Sequence, residues 1–271
     1  EDKMIVGCSI SPYLLEKSRV VKQGSNERGY HIFYEMVRGL SEEQKQDCKL
    51  TKPLGYYRYL NHPGIVPTYN VEEETFGNDG RRRTVVKDDA AELTAVLNAM
   101  EIFLGEERAA EVLRATSAVL QFGNIEMAGT KEKTKIDLTQ PALQDVTSLL
   151  GLSPEQFNTA FSTMHLGRIQ ADVGPVMAIK FRDSLAKTIY NKQFEWLVES
   201  CSKVLSTDPR CAYSPFIGVL DIFGFEYILD HNLDPPQTLN SFEQFCINLC
   251  NEKLQNLFVN IIFDMENQMY A

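Results

Sequence analysis

The stretch PFIGVLDIFGFE, residues 215–226, constrains this chain more than any other. Residues 215–223 are almost all apolar, the pattern of a strand buried on both faces. Yet Asp221, Gly224 and Glu226 fall at its end, where a core strand has no ordinary need of them. Residues 240–270 follow with Leu254, Leu257, Phe258, Ile261, Ile262 and Met265 at helical spacing. Asn240, with Glu243 three positions on, reads as the start of that helix. At 1.5 Å per residue it spans about 45 Å. A buried strand, a polar glycine turn and a long helix predict an α+β core element.

Elsewhere helical periodicity dominates, so the fold class reads as α+β and mostly helical. Residues 5–10 are short, apolar and bounded by Gly7 and Pro12, which predicts a strand. Ser25 is placed to cap a helix carrying Ile32, Phe33, Met36, Val37 and Leu40, which Gly39 ends or frays. Residues 50–83 are rich in Pro, Gly, Tyr and Asn and read as loops, with a basic tip at 77–83. Residues 87–124 carry two helical stripes ended by Gly123, and 145–150 and 154–164 read as shorter helices. Residues 181–205 form a long amphipathic helix holding the single tryptophan, Trp196, which reads as core.

The net charge of −10 is a poor match to nucleic acid, whose phosphates call for Lys and Arg. No apolar run is long enough to span a membrane. Six cysteines without a CxxC pair read as reduced, mostly buried thiols of a cytoplasmic protein. Both ends read as cut from a longer chain.

Asp221 and Gly224 have D-x-x-G spacing. In phosphate-binding α/β proteins such an Asp steers Mg²⁺ through its water shell, and the Gly offers a bare N–H to a terminal phosphate. Glycine suits the role because a side chain would block close approach. The alternative is a core strand ending in a glycine turn, with Asp221 capping local backbone. No G-x-x-x-x-G-K-[ST] occurs in the chain, so the motif of a phosphate cradle is missing.

The surrounding residues resemble the myosin motor domain. DIFGFE, NSFEQFCIN and NEKLQ run in order from residue 221, and YLLEKSRVV (13–21), SNERGYHIFYEM (25–36), YRYLNHPG (57–64), VLQFGNIEM (119–127) and FRDSLAKTIYNKQFEWLV (181–198) precede them. The resemblance implies a partial P-loop NTPase fold of myosin type with only some central-sheet strands. Residues 1–214 would be an upper 50-kDa-like subdomain. Residues 215–271 would be the switch II strand and relay helix, opening the lower 50-kDa-like subdomain. Residues 221–225, among them Ile222, Phe223 and Phe225, would line ATP. Asp221 would stand behind Mg²⁺ without binding it directly, Gly224 would touch the γ-phosphate, and Glu226 would pair with an arginine of a first switch. Asn240, Glu243 and Asn248 would belong to the relay, with Asn248 contacting the switch.

The implied function is part of an ATP-driven motor on actin filaments, cytoplasmic and cytoskeletal, with light chains not encoded in this region. The 271 residues alone are expected to lack ATPase activity. The family's actin-touching surface loop corresponds to residues 163–178, which depart from its pattern, so a plain solvated loop stands beside actin contact as a reading. Gly29 stands where the family tends to carry Asn. Two other classes remain: a GTPase-like switch protein, which would need an N-K-x-D motif that is not present, and a non-enzymatic helical scaffold built on a motor core.

Overall fold

The structure is a computed structural model that describes residues 5–13, 15–22, 28–61, 72–76, 82–86, 88–166, 169–206, 208, 215–227, 229–230, 237–238 and 240–270. The chain divides into two compact units, one formed by Glu1–Ser11 with Lys17–Cys211, the other by Pro12–Glu16 with Ala212–Ala271.

The first unit contains the helices α1 (His31–Gly39), α2 (Glu42–Asp47), α3 (Asp89–Leu104), α4 (Glu106–Phe122), α5 (Pro141–Leu150), α6 (Pro154–Ser162) and α7 (Pro175–Leu205). Three antiparallel two-stranded ribbons join them: β1 (Glu72–Phe76) with β2 (Arg82–Val86), β3 (Ala128–Gly129) with β4 (Thr134–Lys135), and β5 (Thr163–Leu166) with β6 (Ile169–Asp172). Local chemistry sets the helix starts. The Asp88 carboxylate accepts from the N–H groups of Ala90 and Ala91. Ser41 and Ser153 close capping boxes with Gln44 and Gln156. Prolines occupy the first turns of α5, α6 and α7, where a missing N–H costs nothing.

α4 is the central rod. Val112, Leu113, Ala118, Val119, Leu120 and Phe122 are all buried, and α3, α5 and α7 pack around it. Its buried polar groups have partners, as burial demands. Ser117 donates to the Cys48 carbonyl at 2.5 Å, and Gln193 of α7 donates to the Val112 carbonyl and to the Thr116 hydroxyl. The β3–β4 turn presses on the entry to α7. Thr134 donates through both its N–H and its hydroxyl to the Val173 carbonyl, and a Cβ on Gly174 would lie 2.0 Å from the Lys131 carbonyl oxygen.

Two buried charge networks tie elements together. The Asp89 carboxylate, wholly removed from solvent, takes both oxygens to Arg28 and one to Arg38, while the Arg28 guanidinium lies 3.9 Å from the centre of the Tyr34 ring. Arg182 donates to the carbonyls of Gly123 and Ile125 and pairs with Asp183, which also accepts from the Tyr59 hydroxyl.

Burial in this unit pushes the Cys48 thiol up to about 11 and the Tyr57 hydroxyl up to about 12, and raises Tyr59 and Tyr190 as well. Each folded value lies above its unfolded one, so the folded state keeps these protons longer. The stability they contribute is whole below about pH 9 and is lost as pH climbs toward about 12. Urea midpoints are expected to fall across that window, and a flat profile would contradict this assignment.

The second unit contains β7 (Leu229–Asp230) paired with β8 (Gln237–Thr238), and α8 (Phe242–Tyr270).

Several expectations are corrected. Residues 5–10 form no strand: the Cys8 N–H donates to the Leu205 carbonyl and the Ile10 N–H to the Ser202 hydroxyl, so α7 supplies the partners a neighbouring strand would have given. Residues 215–223 also form no strand, and Phe216, Ile217 and Val219 are each more than 90% exposed. An apolar run states what a segment would bury, but a strand also needs a ladder partner, and none is present among the described residues. The mostly helical class holds, with four two-stranded ribbons among the described residues in place of central-sheet strands. Residues 50–83 include β1 and the start of β2, and residues 163–166 and 169–172 are the paired strands β5 and β6 where a loop was expected. α1 starts at His31, after Tyr30, which makes no side-chain cap, and the expected cap Ser25 lies outside the described residues. Trp196 is 39% exposed, because the packed face of α7 runs from Ala178 to Tyr190 and stops short of it. Of the described cysteines only Cys48 is buried.

Candidate functional site

The site lies in the second unit, where residues 221–226 meet the first turns of α8. That helix begins one residue later than the asparagine cap predicted. Ser241 takes the role: its N–H and hydroxyl both bond Gln244 Oε1, and its hydroxyl accepts from the Glu243 N–H. Serine followed three positions on by glutamine is a capping box in composition. Asn240 is thereby released from capping.

Its amide donates to the Glu226 carbonyl at 2.9 Å instead. Asn248 grips the same residue from both sides. Its Oδ1 accepts the Glu226 N–H at 2.7 Å and its Nδ2 donates to the Glu226 carbonyl at 2.8 Å. Asn251, one turn on, donates to the Phe223 carbonyl at 2.8 Å. Asn240, just before α8, and Asn248 and Asn251 within it therefore hold the backbone on both sides of Gly224. Sequence reasoning identified Asn240 and Asn248 but missed Asn251. A signal was present: asparagine is a poor helix former, so two of them three apart inside a helical run need a reason.

Gly224 itself is open. Nothing lies within 4 Å of where a Cβ would stand, and its N–H has no acceptor among the described residues. Asp221 is exposed and likewise makes no ion pair among the described residues. Ile222 is half-buried, whereas Phe223 and Phe225 are exposed. Glu226 and Glu243 each carry a buried Oε2 with no hydrogen-bond partner among the described residues. For Glu226 this leaves a carboxylate positioned to receive a cation.

The arrangement thus offers one free backbone donor, one solvent-facing carboxylate, and two buried carboxylate oxygens, Glu226 Oε2 and Glu243 Oε2, without partners among the described residues. It fits the outermost phosphate of a nucleotide at Gly224, because the cradle admits close approach. No group of three metal-ligating side chains occurs among the described residues, so a Mg²⁺ beside Asp221 would draw most of its ligands from water and phosphate. The base, sugar and inner phosphates have no counterpart in this loop.

The sequence model of the family described as "Myosin head (motor domain)" matches residues 1–271. The chain is similar to Myosin-2B of Naumovozyma castellii, with 36% identity over all of this chain and 18% of that protein. It is similar to Myosin-14 of Mus musculus, at 38% over 98% of this chain and 12% of the relative. It is also similar to Unconventional myosin-Ia of Rattus norvegicus, at 35% over 98% of this chain and 29% of the relative. The chain spans less than a third of each. No helix among the described residues is long and apolar enough to cross a membrane.

Proposed function

Because this chain belongs to the myosin head (motor domain) family, we propose that residues 221–226 are its switch II and α8 its relay helix, parts of an ATP-dependent motor on actin filaments. Within it, residues 1–214 serve as the upper 50-kDa-like subdomain and residues 215–271 open the lower one, in a P-loop NTPase motor of the cytoplasmic cytoskeleton. ATP with Mg²⁺, when bound, supplies the terminal phosphate that the loop senses and the hydrolysis that drives the cycle.

Gly224 donates its N–H toward that phosphate, and Asp221 orients the water shell of the ion. Glu226 takes up an arginine from a first switch, which gives its orphaned Oε2 a partner. The movement then has a direct route. Asn248 and Asn251 tie the backbone of Glu226 and Phe223 to the second and third turns of α8. A shift of Gly224 pulls on the helix across those bonds without passing through residues 227–239. α8, with 29 residues, carries the shift outward over about 43 Å. The observation that carries this reading is the combination of a glycine left open and its flanking peptides pinned to one helix.

Phosphoryl transfer depends on positioning by every part of the site together. The full-length protein is therefore expected to hydrolyse ATP, faster with filamentous actin, while the 271 residues alone give no calorimetric ATP signal and no phosphate release above buffer. Release above buffer by the short chain, or a full-length protein that fails to bind ATP, would overturn the proposal.

A further inference from the structure

Cys246 and Cys250 stand one turn apart in α8, and both are half-buried free thiols. Residues four apart on a helix face the same way, with Cβ atoms about 6 Å apart. Between them in sequence, Ile247 is buried and Asn248 holds Glu226. The Cys250 sulfur lies 3.4 Å from the Tyr13 hydroxyl, contributed by the 12–16 segment of the same unit. This is a different setting from that of Cys48, which is 2% exposed in the first unit's core and behaves as a small hydrophobe. The α8 pair is reachable, and one of its thiols already takes part in a polar contact.

We propose that Cys246 and Cys250 form a dithiol site for a soft, two-coordinate thiophilic cation of the copper(I) class. The donor set selects the ion. Thiolates are soft ligands that favour Cu(I), whereas zinc in a structural site asks for four ligands. The described residues bring no third or fourth histidine, cysteine or carboxylate to this pair. Two thiols bind one Cu⁺ with release of two protons, giving a singly negative bis-thiolate, and no oxidant or reductant is consumed. The Tyr13 hydroxyl remains beside the Cys250 sulfur as a hydrogen-bond donor to the thiolate.

The bridge closes over the turn that contains Asn248. An ion spanning residues 246 and 250 fixes the helical geometry of that turn, and with it the amide that grips Glu226. Ligation therefore stiffens the loop-to-helix clamp, a consequence separate from nucleotide chemistry.

The test uses the 271-residue chain, titrated anaerobically with Cu(I) against the chromophoric chelator bicinchoninate. One equivalent is expected to be withdrawn from the chelator by the two thiols. Cys246→Ser and Cys250→Ser should each weaken it by about 10²-fold or more, the loss expected when a bidentate contact becomes a single one. Cys8→Ser and Cys201→Ser should leave it unchanged. Thermal melts verify that each serine variant folds. As a second readout, exchange of the Glu226 amide proton should slow when Cu(I) is added to the parent chain and not to Cys250→Ser. Wild-type affinity in either α8 variant, loss of affinity in Cys8→Ser, or displacement of Cu(I) by equimolar Zn²⁺ would each overturn the proposal. Neither ATP nor actin enters the measurement, so its failure would leave the motor assignment standing.

Discussion

Gly224→Ala in the full-length protein is expected to lower ATP turnover by about 10²- to 10³-fold, the cost of losing one transition-state donor. The expectation is unusually clean because the substitution has no steric reason to disturb the fold. A methyl at Gly224 meets nothing within 4 Å, whereas a methyl at Gly174 would collide with the Lys131 carbonyl at 2.0 Å. On the proposed reading, the methyl at 224 stands in the open space through which a phosphate oxygen would approach the N–H. The urea midpoint of the 271-residue chain should therefore be unchanged while steady-state phosphate release collapses. The loss should lie mainly in kcat, since an interaction made with the transferring group is strongest in the transition state. A variant retaining more than about a tenth of wild-type turnover would mean that Gly224 does not perform the role its position suggests.

Asp89→Ala is expected to cost about 3–5 kcal/mol of folding stability, as when one partner of a buried ion pair is removed. Asp89 pairs with both Arg28, whose side chain is 6% exposed, and Arg38, which is 30% exposed. Its removal strands the Arg28 guanidinium away from water, with Nε already lacking a partner among the described residues. Among the described residues the side-chain contact that remains is the cation over the Tyr34 ring, worth about 2 kcal/mol at most. Equilibrium urea unfolding of the 271-residue chain measures the loss. Arg28→Met combined with Asp89→Leu should recover much of it, because an apolar pair of similar volume replaces a desolvated charge pair. A loss below about 1 kcal/mol for Asp89→Ala would show that water reaches Arg28 easily.

Helices were the legible part of this sequence. Val112, Val119 and Leu120 fall at helical spacing and Pro154 marks a start, whereas the helices expected from 145 and 181 begin earlier, at Pro141 and Pro175. Local alternatives were harder to separate. Asn240 with Glu243 and Ser241 with Gln244 are both competent capping pairs, shifted by one residue, and the choice fell to Ser241 because Asn240 has a tertiary partner in Glu226. Residues 215–223 were misread for a different reason. Their apolar side chains report a preference for burial, but ladder partners lie far away in sequence and leave no trace in the run itself. Within the site, the glycine and the carboxylates were legible as a motif. The Asn251 bond to Phe223 was not, since it joins residues 28 apart and depends on how the loop folds back on α8.

The pinning of Glu226 has an evolutionary corollary. Asn240 closes a neck on it, and the Leu229–Thr238 and Asp230–Gln237 pairs draw the same excursion shut just beyond. Residues can then be gained or lost past that neck without altering the spacing between loop and rod. Relatives of this chain are expected to differ in length between those pairs, and a reporter tag inserted there is expected to leave the loop-to-helix bonds intact.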